Sequence, residues 1–459
     1  MKQKTNKFLS VIMAAAFLTG MASCSNEDDG TAGGATTKGE STTMQFVINA
    51  PKAPTTYAPT DNNATDAEVE LKTVNVLIYE YTATGFQLEK NASLTMADFE
   101  AVAGTDKYEL KESSKIATTT GQKKIYVAMN YNGTLGSLPA VGSSITDIKT
   151  LKATLSNYDD LSNATSGFAM FSTDVTDADL VAEDDAAYDI SNKKTITVKR
   201  LVAKITVQEK SGLSSNGIIA SQGGWLSSLQ FTLGNINKSA YLLQHVVGSV
   251  VQDFNWSSFT AADFFAISDY SASSSLYKTV DASATTVDAL TAMYCPENTA
   301  QAYESDGSNL TYVSVRAKYV PEFFCNQLGV SKGNNSASDT PVSFWTVITT
   351  DGKLYYFDNE TSANTFKTAN AGSVKSSEYE DGFCYWRGYL NQDGTADPTI
   401  SGSSAAKFDV LRNVYYKATI NSVKAPGEAS DKSQVTEATS LIMTIDVQPW
   451  TVQTNNWDL

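Results

Sequence analysis

Cys24 is the residue whose chemistry the sequence predicts most specifically. It closes the sequence Met21-Ala22-Ser23-Cys24, where small residues precede a thiol that can accept a lipid, as in a bacterial lipoprotein signal. Before it lie a lysine-bearing start and a largely apolar run over residues 8–18, too short to span a membrane as a helix. We therefore expect a signal peptide over 1–23, cleavage between Ser23 and Cys24, and palmitate on Cys24. A simple secretory signal with an incidental cysteine is the alternative.

Side chains that carry most enzymatic chemistry are scarce. The 459 residues include one histidine, His245, in an apolar stretch, and no glycine-rich nucleotide-binding motif or CxxC pair. A two-histidine zinc motif is excluded, and a serine triad would have to use His245. The 34 basic and 50 acidic side chains give a net charge of −16, which disfavours nucleic-acid binding. We predict no enzymatic activity, no cofactor, no metal site and no nucleic-acid partner.

Three thiols remain if Cys24 carries lipid. They belong to Cys295, Cys325 and Cys384, and an odd number cannot all pair, so we expect at most one disulfide. At least one of them is expected to be a small buried hydrophobe. Residues 24–42, which are small, polar and acidic, are typical of a flexible tether.

The first half of the chain shows the alternation of β-strands. Strands are predicted over 43–49, within Glu68–Thr82 and over Lys124–Asn130. Between Ile196 and Val207 the apolar positions change phase once, which indicates a bulge or a change of sheet. We predict an N-terminal β-sandwich over 43–207.

The second half, residues 208–459, repeats this pattern of strands between polar loops. Its long polar loops are predicted at 328–340, 359–377 and 391–405, and one short amphipathic helix is expected earlier in the chain, at 145–155. Strands with almost no helical periodicity favour an all-β fold of two β-sandwiches in tandem with long polar loops.

Seven acidic residues and no basic residue lie between Asp174 and Asp189. A calcium loop is one interpretation, but such a loop spaces its oxygen ligands around a turn glycine, and that spacing is missing. We expect a solvated acidic loop.

The last strand-like segment has a patterned apolar row. Leu441, Met443, Ile445 and Val447 occupy alternate positions, Pro449 interrupts, and Trp450 and Val452 resume in the other phase. A terminal strand with such a row favours association unless something covers it. Periodicity alone favours an ordinary last strand of its own sheet.

Taken in order along the chain, these features resemble the fimbrillin family, the pilus subunits of Bacteroidales. No single motif is specific, but the ordered set is. The motifs that carry the resemblance are Thr73-Val74-Asn75-Val76-Leu77-Ile78-Tyr79, Ile125-Tyr126-Val127-Ala128-Met129-Asn130, Lys199-Arg200-Leu201-Val202-Ala203-Lys204-Ile205, Tyr294-Cys295-Pro296-Glu297-Asn298-Thr299, Arg412-Asn413-Val414-Tyr415-Tyr416 and Val447-Gln448-Pro449-Trp450.

The resemblance implies two transthyretin-like β-sandwich domains and a structural role in a cell-surface fimbrium that supports adhesion. It implies a lipoprotein precursor at the outer membrane, from which a protease removes the lipidated leader together with the first strand, 43–49. The vacated groove then accepts a donor strand from the segment 439–459 of the next subunit, with Leu441, Met443, Ile445, Val447, Trp450 and Val452 as donor residues. The implied partners are further copies, anchor and tip subunits, and surface ligands on host or bacterial cells.

One departure from the family bears on maturation. Relatives cut by an arginine-specific protease carry an arginine between the first two strands, whereas the first arginine here is Arg200. Lys52 is the only basic residue in that loop and becomes the expected cleavage site. An uncleaved subunit would keep its lipid and serve as the membrane anchor of the fibre. A glycan-binding surface lipoprotein that uses loop aromatics such as Trp256 or Trp386 is the remaining alternative.

Overall fold

The computed structural model describes residues 39–49, 65–103, 107–163, 165–210, 223–265, 267, 276–281, 290–304, 307–391, 407–431 and 441–449, the last segment as backbone only. Most of these residues lie in β-strands that pair over long sequence distances. The all-β prediction is therefore confirmed.

The first half contains eleven strands and two short α-helices. The helices are α1 (Asp66–Val69) and α2 (Tyr188–Ser191), and single 3₁₀ turns cover Met96–Asp98, Glu112–Ser114 and Ile145–Thr150. The strands are β1 (Ser41–Asn49), β2 (Thr73–Thr82), β3 (Gly85–Thr95), β4 (Phe99–Ala101), β5 (Lys107–Leu110), β6 (Ile116–Thr119), β7 (Gly121–Met129), β8 (Lys152–Thr154), β9 (Met170–Ser172), β10 (Thr176–Leu180) and β11 (Lys193–Arg200).

In its described residues, the second half contains eighteen strands and the α-helix α3 (Glu360–Ala369), with 3₁₀ turns at Ala261–Asp263 and Glu380–Gly382. The strands are β12 (Val202–Glu209), β13 (Trp225–Gly234), β14 (Ile236–Asn237), β15 (Ser239–Tyr241), β16 (Val246–Val247), β17 (Val250–Val251), β18 (Phe264–Phe265), β19 (Lys278–Thr279), β20 (Ala292–Pro296), β21 (Tyr312–Val320), β22 (Phe323–Cys325), β23 (Ser331–Asn334), β24 (Trp345–Ile348), β25 (Leu354–Phe357), β26 (Val374–Lys375), β27 (Phe383–Tyr389), β28 (Val414–Val423) and β29 (Leu441–Pro449).

Ten strands of the first half form one sheet. Its order is β3-β2-β7-β9-β11-β1-β5-β4, with β10 paired to β7 and β6 paired to β1. The sheet surrounds a core in which the inward positions of β1, β2 and β7 are fully buried, because apolar residues alternate along these strands.

The predicted change of sheet occurs at Leu201. Strand β11 pairs with β1 and β9 of the first sheet, and β12, which follows directly, pairs with β20 and β28. The chain leaves the sheet of the first half and enters a sheet of the second half at this residue. The predicted domain boundary between residues 207 and 208 stays a prediction.

Two four-stranded sheets build the second half. Their orders are β20-β12-β28-β29 and β19-β13-β21-β27. Both contribute to one buried core, in which Trp386 of β27 and Tyr416 of β28 are among the largest fully covered side chains. Aromatic and β-branched residues suit these positions, since they fill a half-buried pleated surface.

A smaller unit is inserted between β21 and β27. Helix α3 packs Ala363 and Phe366 against the three-stranded sheet β25-β24-β26. The prediction of polar loops at 359–377 and 328–340 is wrong here, since α3 and β26 lie in the first range and β23 in the second. The predicted helix at 145–155 is also wrong in extent, because a 3₁₀ turn ends at Thr150 and β8 follows it.

The three described cysteines are free thiols. Cys295, Cys325 and Cys384 are each at most 1% exposed, and they form no disulfide. Burial raises the pKa of the Cys295 thiol to about 12, so this thiol stays protonated at neutral pH. The cysteines act as small core residues.

Candidate functional site

Strand β1 lies in the interior of the first sheet, with neighbours on both sides. Its residues Gln45–Asn49 pair in parallel with β11. On the other side, Ser41–Met44 pair antiparallel with β6, and Val47–Asn49 pair antiparallel with β5. Taking β1 away would therefore leave a slot with open backbone donors and acceptors on both walls.

The inward row of β1 fills this slot completely. Thr42 is 4% exposed, and Met44, Phe46 and Ile48 are 0% exposed. The ring of Phe46 meets the edge of Phe99 with centroids 5.7 Å apart. Loss of β1 would uncover these apolar pockets to water, which is unfavourable unless another strand fills them.

Asn192 holds the beginning of β1. Its side chain is 1% exposed and donates from Nδ2 to the Thr43 carbonyl at 2.8 Å, to Thr42 Oγ1 at 3.0 Å and to the Val181 carbonyl at 3.0 Å. Its Oδ1 accepts from the Val181 amide at 2.9 Å. The Asn192 carbonyl accepts from the Gln45 amide at 2.8 Å. Asn192 thus recognises mainly backbone atoms and one hydroxyl.

The two hydroxyls at this end of β1 have specific acceptors. Thr42 Oγ1 donates to the Val181 carbonyl at 2.7 Å, and Thr43 Oγ1 donates to Glu183 Oε1 at 2.6 Å. Glu183 belongs to the acidic run predicted to be a solvated loop, and it is exposed. This end of the slot therefore combines a hydroxyl requirement with a negative charge.

The other end of β1 has a positive charge. Asn49 lies directly opposite Lys107 of β5, which is exposed. Further in, Lys193 of β11 pairs with Glu109 of β5 at 2.5 Å across the outer face of β1. The slot is thus electrostatically asymmetric, acidic where β1 begins and basic where it ends.

The chain that follows residues 50–64 is fixed independently of β1. Glu68 in α1 is 1% exposed and forms an ion pair with Lys204 of β12 at 2.8 Å. Tyr294 of β20 donates its hydroxyl to Glu68 Oε1 at 2.5 Å, and Arg200 Nε donates to the Glu68 carbonyl at 2.9 Å. Burial lowers the pKa of Arg200 to about 10, which leaves it charged at neutral pH. A cut between β1 and α1 would leave these contacts in place.

Strand β29 has a different setting. It pairs antiparallel with β28, from Val414 opposite Pro449 to Val423 opposite Leu441, with a register shift between Ile420 and Ser422. Among the described strands it pairs with no other, so it forms the edge of the sheet β20-β12-β28-β29. The reading of the terminal segment as a last strand of its own sheet describes its position in this structure.

The predicted site residues fall into two groups. Leu441, Met443, Ile445 and Val447 lie in β29. Ser23, Cys24, Lys52, Trp450 and Val452 lie outside the described residues. The predicted first strand, 43–49, lies within β1.

Sequence reasoning missed Asn192, Glu68 and Lys204, which hold the slot and its flank. One signal was available for Glu68, since Thr65 and Glu68 form a capping box around the start of α1. Asn192 follows a four-residue helix and has no neighbour in sequence that marks it as buried.

The aromatic and histidine candidates are structural. Trp386 is 1% exposed within β27 and donates Nε1 to the Ala425 carbonyl at 3.1 Å, so its proposed role as a loop aromatic is wrong. Trp256 is half-buried, and His245 stacks on Tyr241 with ring centroids 3.8 Å apart. Within the described segments, no three ligand-type side chains lie close enough to hold a metal ion. No helix in the same segments has the length and apolar character to cross a membrane.

Two family models match the chain. Residues 42–213 match the model described as major fimbrial subunit protein (FimA). Residues 377–456 match the model described as major fimbrial subunit protein type IV, fimbrillin, C-terminal. The first match begins at the start of β1 and the second includes β29, so the two strands of the candidate site lie within the matched regions. No curated protein matches the chain in sequence.

Solved structures match the chain at low sequence identity. A proposed cell adhesion protein from Parabacteroides distasonis has a TM-score of 0.49 at 16% identity, covering 89% of this chain and 100% of its own. A fimbrilin from Porphyromonas gingivalis has a TM-score of 0.45 at 15% identity, with 90% and 98% covered. A tip fimbrial protein from the same species, truncated at its C-terminus, has a TM-score of 0.41 at 11% identity, with 89% and 100% covered. The assignment of strands above rests on the pairing within this chain.

Proposed function

We propose that copies of this chain polymerise by exchanging strands. The starting point is that the chain belongs to the fimbrillin family of fimbrial subunits. Membership of that family makes it a structural, non-enzymatic subunit of a cell-surface fimbrium that assembles with other fimbrial components. In the proposed route, the lipid-bearing precursor reaches the outer membrane through Cys24. Cleavage in the segment 50–64, at Lys52, then frees the leader together with β1.

The observation that carries the proposal is the contrast in pairing between the first and the last strand. Strand β1 is internal and fully buried on its inward row, so its departure opens a slot that must be refilled. Strand β29 is an edge strand, which can leave its sheet by breaking one ladder. A strand that adds to an exposed sheet edge gains affinity from backbone hydrogen bonds and specificity from alternate side chains.

The contact that results is head-to-tail. The slot lies in the first sheet of one copy, and the incoming strand comes from the end of another copy. A contact between two different surfaces produces a closed ring only if the rotation between neighbouring copies closes. Otherwise each copy adds to the end of the last one, and an open filament forms. This geometry fits a fibre that supports adhesion.

The test is deletion of residues 439–459 in cells that produce the full precursor. We expect exported monomers and no SDS-resistant ladders, because the donor is missing while the slot is intact. Ladders that persist in the deletion variant would show that polymerisation uses another surface. Replacement of Leu328, an exposed residue of the inserted unit, by Ser is a matched surface control and should leave the ladders unchanged.

A second candidate, the uncleaved membrane anchor, is favoured by the position of Arg200. This first arginine of the chain is 0% exposed and bonded to Glu68, so an arginine-specific protease cannot reach it in the folded protein. The N-terminal sequence of protein sheared from the cell surface separates the two roles. A start close to Ala53 supports the polymerising subunit, and a blocked, acylated Cys24 supports the anchor.

A further inference from the structure

The first strand and the terminal segment share a sequence pattern in the same direction. Residues 40–49 read Glu-Ser-Thr-Thr-Met-Gln-Phe-Val-Ile-Asn, and residues 437–446 read Glu-Ala-Thr-Ser-Leu-Ile-Met-Thr-Ile-Asp. We propose that segment 437–446 of one copy replaces β1 of the next copy in this register, parallel to β11. The proposal rests on strand exchange as the proposed function and adds its direction, its register and the residues that set them.

The apolar pockets accept the substitutes in this register. Leu441 takes the place of Met44, Met443 that of Phe46, and Ile445 that of Ile48. All three original side chains are 0% exposed. Swaps between hydrophobic residues of similar volume are tolerated best in packed cores. At the Ile48 position the side chain is unchanged, because Ile445 is also an isoleucine.

The hydroxyl-specific end of the slot keeps its hydroxyls. Thr439 takes the place of Thr42, whose Oγ1 donates to the Val181 carbonyl and accepts from Asn192. Ser440 takes the place of Thr43, whose Oγ1 donates to Glu183. An apolar residue at either position would forfeit these bonds. The donor therefore begins at least two residues before the apolar row that starts at Leu441.

The basic end of the slot receives an acid. Asp446 takes the place of Asn49, which lies opposite Lys107 in the β1–β5 register. Directly opposed charges on neighbouring strands are stabilising, and like charges are destabilising. The Val47 position, between these ends, receives Thr444, which has nearly the same shape.

Two other placements conserve the apolar alternation and fit worse. Aligning Met443 with Met44 shifts the strand by two residues, which puts Leu441 at the hydroxyl site of Thr42 and Asp446 opposite Glu109. Reversing the strand, with Leu441 at Ile48, puts Asp446 at the position of Thr43, against the Glu183 carboxylate. Charge therefore selects both direction and register, through unfavourable contacts in the alternatives.

Intersubunit disulfides test the placement in sheared fimbriae from cells that produce the full chain. Three variant chains are made, and each is both donor and acceptor. All three carry Asp446→Cys in the donor segment, together with one acceptor change: Lys107→Cys, Glu109→Cys or Glu183→Cys. Directly opposed residues of antiparallel strands lie within disulfide reach, and the next same-face position is about 7 Å further along. The native thiols are buried and therefore protected from the oxidant in the folded protein; an alkylating agent added together with the denaturant blocks them as they become exposed, and single-cysteine chains serve as controls.

We expect ladders of disulfide-linked subunits with Lys107→Cys and at least about fivefold less with the other two acceptors. Dominant linkage through Glu109→Cys would overturn the register, and dominant linkage through Glu183→Cys would overturn the direction, with strand exchange upheld in both cases. Assembled fimbriae without linkage in any of the three would overturn this placement of the donor, and the deletion of 439–459 then decides whether strands are exchanged at all.

A second readout does not depend on cysteines. Thr439→Val keeps the shape of the side chain and removes its hydroxyl, so we expect the polymers to dissociate in SDS at a lower temperature. Thr340→Val, at an exposed position of the inserted unit, makes the same change outside the donor segment and should leave that temperature unchanged. An unchanged temperature with Thr439→Val would contradict the register, since in the shifted placement Thr439 lies beyond the hydroxyl site.

Discussion

Strands β1 and β29 both carry alternating apolar residues, and their sheets hold them in opposite ways. Strand β1 lies between β11 on one side and β5 and β6 on the other, whereas β29 pairs with β28 and with no other described strand. The inward row of β1 is buried to 4% exposure or less. Removal of an internal strand breaks two hydrogen-bond ladders and exposes a set of apolar pockets to water. Removal of an edge strand breaks one ladder.

This difference separates the tasks of the two ends. An internal strand does not leave spontaneously, so the proposed maturation requires that the connection of β1 to the rest of the chain be cut. The contacts of Glu68 with Lys204 and Tyr294 retain the chain beyond the cut. An edge strand remains exchangeable without any covalent change, so the same segment can complete its own sheet first and a neighbouring copy later.

The largest effect is expected on the stability of the precursor when a buried side chain of β1 is truncated. Phe46→Ala should reduce the free energy of unfolding of the precursor by about 3–5 kcal/mol, because it empties a fully buried aromatic site. Ile445→Ala should cost the precursor less, since an edge strand held by one ladder can open locally without unfolding the rest of its sheet. Denaturant unfolding of the two precursors measures both values.

The polymer should reverse this order. In the proposed route the mature subunit loses Phe46, so Phe46→Ala should not weaken the assembled fibre, whereas Ile445→Ala should leave a cavity in the Ile48 pocket of the next subunit. The dissociation temperature of polymers in SDS provides the comparison. Equal effects of the two variants on precursor and polymer would remove the distinction between the strands.

A smaller effect is expected at Asn192, which binds β1 and, in the proposed exchange, would bind the incoming strand in the same way. Asn192→Ala removes three donated hydrogen bonds and one accepted bond around the start of β1. At about 1 kcal/mol for each bond lost net, the precursor should lose about 2–4 kcal/mol, and the polymer should also dissociate more easily. Asn364→Ala on the exposed face of α3 is the matched control and should change neither. A polymer unaffected by Asn192→Ala would show that Asn192 does not hold the incoming strand.

The sequence predicted the strands of this site better than the residues that hold them. Period-two alternation located β1 and β29, because a strand packed on one face shows its environment in every second residue. Asn192 leaves no such record. Its burial depends on carbonyls and hydroxyls supplied by Val181 and β1, which are distant in sequence or lie across a turn.

The inserted unit was missed for a related reason. Helix α3 buries only Ala363 and Phe366, so its apolar spacing is too sparse to stand out from a polar loop. The local signal that could have found it is Asn359, whose side chain accepts a hydrogen bond from the Ser362 amide at 2.9 Å as an N-cap.

The smallest effect is expected from the charge of Asp446, which has a different lysine opposite it in the precursor and in the proposed polymer. Asp446 lies opposite Lys417 in its own sheet, and the proposed exchange places it opposite Lys107 of the next copy. Lys107→Gln should weaken the polymer by about 0.2–1 kcal/mol per contact while leaving the β28–β29 pairing of the precursor intact. Lys417→Gln should instead weaken that pairing and leave the polymer unchanged. Combining Lys107→Gln with Asp446→Asn should cost the polymer no more than the larger single change, because both remove one interaction. Dissociation temperatures measured at low and high salt report the effect, since screening should shrink the difference for Lys107→Gln.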